Sequence, residues 1–224
     1  MNKFLLPIIA VILGVVIATI SKNKKTWNTK LLLSFSGAFL LALTLFELLP
    51  EVYNHLDTKL TGLFIMCGIL LQIVLELFSK GAEHGHVHIH KNEANFPWLL
   101  FISLCIHSFL EGFPIHEHND MVYGVLIHKI PIATLISMFL FQSKFSKAQI
   151  IAFLVVFAAM TPFGTLISNT ANLSVNLAHS INAIVIGIFF HISTTILFES
   201  GEGHKFNLSK FVAIILGVGI AYFI

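Results

Sequence analysis

The chain has 224 residues, of which 56% are hydrophobic and 11% charged, with a formal net charge of +2. A water-soluble globule needs roughly a quarter of its residues charged to cover its surface, so that class is excluded. The small net charge gives no basic face for nucleic acid. At about 20 residues per membrane-crossing helix the length accommodates about eight spans with short loops, leaving no room for a separate soluble domain.

Apolar runs between charge and turn clusters define the spans in chain order: 4–20, 31–50, 60–79, 97–116, 121–141, 148–168, 180–199 and 208–224. The first run follows Lys3 and is long enough to cross. No A-x-A cleavage site follows it, so it reads as a retained helix rather than a signal peptide. Spans four and five are separated only by His116 to Asp120, which predicts a tight antiparallel hairpin. Cys67 and Cys105 lie inside apolar runs and read as small core residues. The expected fold is an all-α membrane protein: one polytopic domain over residues 1–224, with eight transmembrane helices.

Lysines orient it. Ten of the 13 lysines fall in alternate connections: Lys22, Lys24, Lys25, Lys30, Lys80, Lys91, Lys144, Lys147, Lys205 and Lys210. Lys3 and Lys59 lie on the other side, and Lys129 lies inside a span. The positive-inside rule then places the lysine-rich loops in the cytoplasm and both termini outside it. The expected location is the plasma (inner) membrane.

An ionisable side chain deep in a bilayer costs several kcal/mol unless it is paired, hydrated or metal-bound. The candidates are Glu47, Glu76, His107, Glu111, His128, Lys129, His191 and Glu199, and four of these fall in spans four and five. His107 and Glu111 are four apart, hence one turn above each other on one helix face. An imidazole nitrogen and a carboxylate oxygen at that spacing can grip one cation. Gly112 and Pro114 permit irregular backbone beside them. On span five, His128 precedes Pro131, which frees the Ile127 carbonyl and favours a kink. His107, Glu111 and His128 form the candidate metal set, an incomplete shell suited to an ion that must leave again. Single membrane histidines more often hydrogen-bond across helices, and a Lys129–Glu111 pair could be purely structural. The clustering on adjacent helices favours the functional reading.

Elsewhere the readings are weaker. Glu76, near the end of span three, reads as snorkelling to the interface. His191 and Ser108 are candidate pathway residues, with His191 equally able to hydrogen-bond to Ser193 or Thr194. His55, Asp57, His116, Glu117, His118 and Asp120 form a sparse set that would raise local cation concentration at the outer mouth. The segment at about 80–96 carries alternating His84, His86, His88 and His90, the composition of a metal-binding tract in a cytoplasmic loop. Imidazole suits several transition metals without choosing one.

These residues resemble the ZIP (Zrt/Irt-like) metal transporters over essentially the whole chain. His107-Ser108-Phe109-Leu110-Glu111-Gly112 is similar to the family's fourth-span motif, in the His-Ser-x-x-Glu-Gly form of one subgroup, and His128-Lys129 to that subgroup's fifth-span His-Lys form. Phe39 to Glu51 resembles a second-span ending in which His-Leu-Leu-Pro-Glu is common, with Glu47 in place of the His, and the resemblance makes Glu47 a candidate pathway residue at an entrance or exit. Gly187 to Glu199 resembles a weakened seventh-span pattern. Many members have two adjacent metal positions; here Lys129 stands where an acid is often found, and Ile132 where a glutamate often stands. An ammonium beside Glu111 would repel a second cation, so one metal position is expected, with Lys129 a tethered charge in the other. The resemblance implies elevator-like movement of a bundle containing spans four and five, and a homodimer.

The leading expectation is a secondary transporter carrying Zn²⁺ (or Fe²⁺, Mn²⁺ or Cd²⁺) into the cytoplasm. No prosthetic group is expected, and no nucleotide motif would power it. Metal binding should weaken at low pH, because protons compete for the imidazole nitrogens. The alternatives are an intramembrane zinc-dependent hydrolase and a haem or quinone electron carrier with axial histidines.

Overall fold

The computed structural model describes residues 2–21, 29–79, 96–115, 120–199 and 208–224. The histidine tract, with His116, Glu117 and His118, lies outside the described residues. The described part is helical: α1 (Asn2–Ser21), α2 (Thr29–His55), α3 (Thr58–Ser79), α4 (Trp98–Leu110), α5 (Met121–Gln142), α6 (Lys147–Thr170), α7 (Val175–Glu199) and α8 (Leu208–Tyr222). Six are long and apolar enough to cross a membrane, and α4 and α8 are shorter apolar helices. At 1.5 Å per residue, a 20-residue helix covers the roughly 30 Å hydrocarbon core. The protein is an all-α integral membrane protein, and its outer helix faces expose large apolar side chains such as Leu5, Leu63, Leu77 and Ile151.

Local chemistry explains the irregularities. Proline has no N–H, and its ring crowds the carbonyl four residues back. Just ahead of Pro50, α2 widens into a π-helical turn over Thr44–Leu48, where the Leu49 N–H reaches Thr44 O. This carries α2 on to His55, beyond the span end expected near residue 50. Helix α4 stops at Leu110, and Gly112 and Pro114 occupy a non-helical stretch over 111–115. The freed carbonyls are satisfied by a small polar stripe on α6: Thr165 Oγ1 donates to Gly112 O at 2.8 Å, and Ser168 Oγ to Phe113 O at 3.2 Å. With no water in the bilayer core, irregular backbone persists only with such partners. At α6 a capping box joins Ser146 and Gln149. At α3, Asp57 Oδ1 accepts from Lys59 N and Leu60 N at 3.0 and 3.1 Å. Asp57, expected to attract cations at the mouth, thus also caps a helix.

The helices pack as two groups of four. In one, α1 packs on α5 and α6, and α4 on α6; in the other, α3 packs on α7, and α2 on α7 and α8. Close crossings within each group use glycine. A Cβ on Gly68 or Gly187 would fall on the backbone of the opposing helix (α7 or α3), and Gly112 and Gly164 meet in the same way between α4 and α6. Lacking a hydrophobic driving force between helices in lipid, such small-residue contacts let backbones approach and gain dispersion and carbonyl contacts. The groups meet where α2 packs on α5 and α3 on α4. There the nearest atoms to a Cβ on Gly124 would be side-chain carbons of Leu43 and Leu40 on α2.

Candidate metal centre

The end of α4 and the first half of α5 build the centre. His107 and Glu111 sit one turn apart, Nε2 to Oε2 3.3 Å. His128 enters from α5, its ring 6.0 Å from that of His107 and 75° from its plane. The three residues offer one donor atom each within 4.8 Å of one another, and all are at most 1% exposed. Donors about 2.0–2.2 Å from a tetrahedral Zn²⁺ lie about 3.4 Å apart, so the His107–Glu111 pair already stands at chelating distance. A ring nitrogen of His128 lies within 4.8 Å of donor atoms on both.

Lys129 follows His128 but points to the other side of the carboxylate. Its ammonium is paired directly with Glu111 Oε1 and donates to Ser108 Oγ at 2.9 Å and Thr161 Oγ1 at 2.7 Å. Those three acceptors use all three N–H groups of an ammonium. Thr161 donates onward to Glu111 Oε1 at 2.6 Å, and the Phe157 ring lies 4.5 Å from Nζ, within cation–π range. Burying the two charges costs several kcal/mol per ion, repaid only by such saturated geometry. The carboxylate is thereby divided: Oε1 is committed to the lysine and threonine, and Oε2 faces the His107 imidazole.

Other residues singled out from sequence lie elsewhere. Glu47 is exposed on the π-helical turn and belongs to no cluster of metal-ligating groups among the described residues. His191 Nε2 lies 2.5 Å from Glu76 Oε2, tying α7 to α3 in a half-buried pair. Glu76 is thus a partner of His191 rather than a lone snorkelling acid. His191 also lines a cavity of about 370 Å³ with Leu41, Leu45, Ile69, Phe190 and Thr194. Ser108 holds Lys129. Sequence reading passed over Thr161 and Phe157, although the α6 spacing Thr161, Gly164, Thr165, Ser168 signals a small polar face. It also passed over Glu51 and His179, which with His55 form a second group whose donor atoms lie within 4.8 Å of one another.

A buried His/Glu/His cluster beside a lysine, inside a helical membrane protein, is a donor set of the class that could hold a metal ion within the bilayer. The comparisons agree. Residues 83–224 match the family described as ZIP Zinc transporter. A relative, zinc transporter ZIP1 of Danio rerio, is 31% identical over 88 residues, covering 37% of this chain and 29% of that protein. The chain belongs to the ZIP zinc transporter family. That is a family of transporters, not enzymes, so the hydrolase and electron-carrier alternatives fall away.

Proposed function

We propose that this chain is a secondary transporter moving divalent transition-metal ions, Zn²⁺ foremost, into the cytoplasm through one intramembrane position. His107, Glu111 and His128 are the ligands, and water or a further side chain completes the shell. The observation that carries this reading is the convergence of three donors at almost zero exposure. A donor set short of four protein ligands suits an ion that is handed on, whereas a closed tetrahedral shell would retain it. Lys129 replaces a second ion as the counter-charge of Glu111.

The grouping of α4 and α5 with α1 and α6 is compatible with that bundle moving against α2, α3, α7 and α8 as the ion is carried. The proposed setting is a single polytopic domain in the plasma membrane, assembled as a homodimer. Both termini lie outside, and the loop carrying His84, His86, His88 and His90 faces the cytoplasm to collect exiting ions.

The test is ⁶⁵Zn²⁺ uptake into proteoliposomes. His107→Ala, Glu111→Ala and His128→Ala should each reduce uptake to near the empty-liposome level. Uptake at the unmodified rate in both His107→Ala and Glu111→Ala overturns the assignment.

A further inference from the structure

We infer that Glu51, His55 and His179 form a second divalent transition-metal site, where the end of α2 meets the start of α7. The three side chains come from one helix turn and a distant helix, yet each offers a donor atom within 4.8 Å of the others. The His55 and His179 rings stack with centroids 4.1 Å apart and planes 18° from parallel. Rings stacked face to face keep their in-plane lone pairs in nearly parallel planes, so binding one ion requires one imidazole to turn out of the stack. That turn would bring donor atoms that already lie within 4.8 Å of one another to the roughly 3.4 Å separations of a tetrahedral shell.

Two further observations point to a ligand rather than to packing. His179 is 5% exposed, and its Nδ1 is buried with no hydrogen-bond partner among the described residues. A buried polar atom left unsatisfied carries its full desolvation cost, so it calls for an explanation. His55 is held from behind: its Nδ1 lies 2.9 Å from the Glu51 carbonyl oxygen. A donor N–H there places the lone pair on Nε2 and fixes the ring, the arrangement that orients metal-bound histidines. The helix places Glu51 and His55 four residues apart, repeating the spacing of His107 and Glu111 with the order reversed. Two imidazoles and a carboxylate are again the donor set, here with His55 exposed and Glu51 half-buried. An exposed site of this composition takes up and releases ions from bulk water, and suits borderline cations such as Zn²⁺ and Co²⁺ over Mg²⁺ or Ca²⁺.

The experiment measures binding alone, so failure of the transport reading would leave it intact. The full chain in lipid nanodiscs, with His84, His86, His88, His90, His107 and His128 replaced by Ala, is titrated with Co²⁺ and followed by ligand-field absorption and metal analysis. One equivalent should bind with tetrahedral or five-coordinate bands, and further His55→Ala or His179→Ala should each weaken binding by at least about tenfold. Absence of bound Co²⁺ in monodisperse, helical protein overturns the inference. So does binding indifferent to both substitutions, which would make the stack a structural clip between α2 and α7. A second measurement uses the unaltered chain: Zn²⁺ should protect His55 from diethyl pyrocarbonate, read by peptide mass spectrometry. Unchanged labelling at saturating Zn²⁺ overturns it equally.

Discussion

Replacing Lys129 with methionine tests the division of labour at the metal centre. Methionine keeps an unbranched side chain, one atom shorter, and removes the charge. In the ion-free protein it leaves Glu111 Oε1 with Thr161 as its hydrogen-bond donor, and breaking a buried pair in this way costs about 3–5 kcal/mol of stability. The metal-bound protein should respond oppositely. An ion held between His107 Nε2 and Glu111 Oε2 sits about 5 Å from an ammonium paired with Oε1, and at an effective dielectric constant of about 20 the repulsion is about 6–7 kcal/mol. If only a third of that survives relaxation, roughly 2 kcal/mol, Zn²⁺ should bind Lys129→Met about 30-fold more tightly. The two effects have one signature: lower thermal stability without metal, and a larger rise in stability on adding Zn²⁺. Isothermal titration in nanodiscs gives the affinity, and melting with and without Zn²⁺ gives the linkage. Tighter holding should also lower both KM and maximal rate in uptake. Zn²⁺ binding equal to or weaker than that of the unaltered chain, in well-folded Lys129→Met, refutes Lys129 as a charge competing with the ion.

Further outcomes follow from particular contacts. Thr161→Val removes the hydroxyl that joins Lys129 to Glu111 and should destabilise the ion-free protein by about 1–3 kcal/mol, read by thermal melting in detergent. Gly187→Val forces a side chain onto the backbone of α3 and should cost about 1–3 kcal/mol or more, whereas Gly62→Ala, where a Cβ meets open space, should be neutral or stabilising by up to about 1 kcal/mol. Asp57→Ala removes the cap of α3 and should cost about 0.5–2 kcal/mol, without altering metal uptake at low ion concentration. Single cysteines in a Cys67→Ser, Cys105→Ser background test the orientation. One at position 59 should react with an impermeant maleimide added outside intact cells, and one at position 144 only after lysis; the reverse pattern refutes it.

The sequence determined the spans and the centre's ligand candidates, and the reason is solvation. A bilayer admits few ionisable groups, so His107, Glu111 and His128 stand out against an apolar background, and the i,i+4 spacing puts two of them on one face of α4. Apolar run length located the helices to within a few residues, except where backbone chemistry intervened: α2 passes through a π-helical turn ahead of Pro50 and runs on to His55, while α4 stops before Gly112 and Pro114. Hydroxyl and aromatic groups carry no such signal, since Thr161 and Phe157 are unremarkable in a membrane helix until α6 is laid against α4 and α5. Only the tertiary structure decided which oxygen of Glu111 the lysine occupies, that Glu47 faces outward, that His191 meets Glu76, and that His55 stacks on His179. Those pairings join residues as many as 124 positions apart, brought together by glycine crossings whose partners the linear order does not reveal.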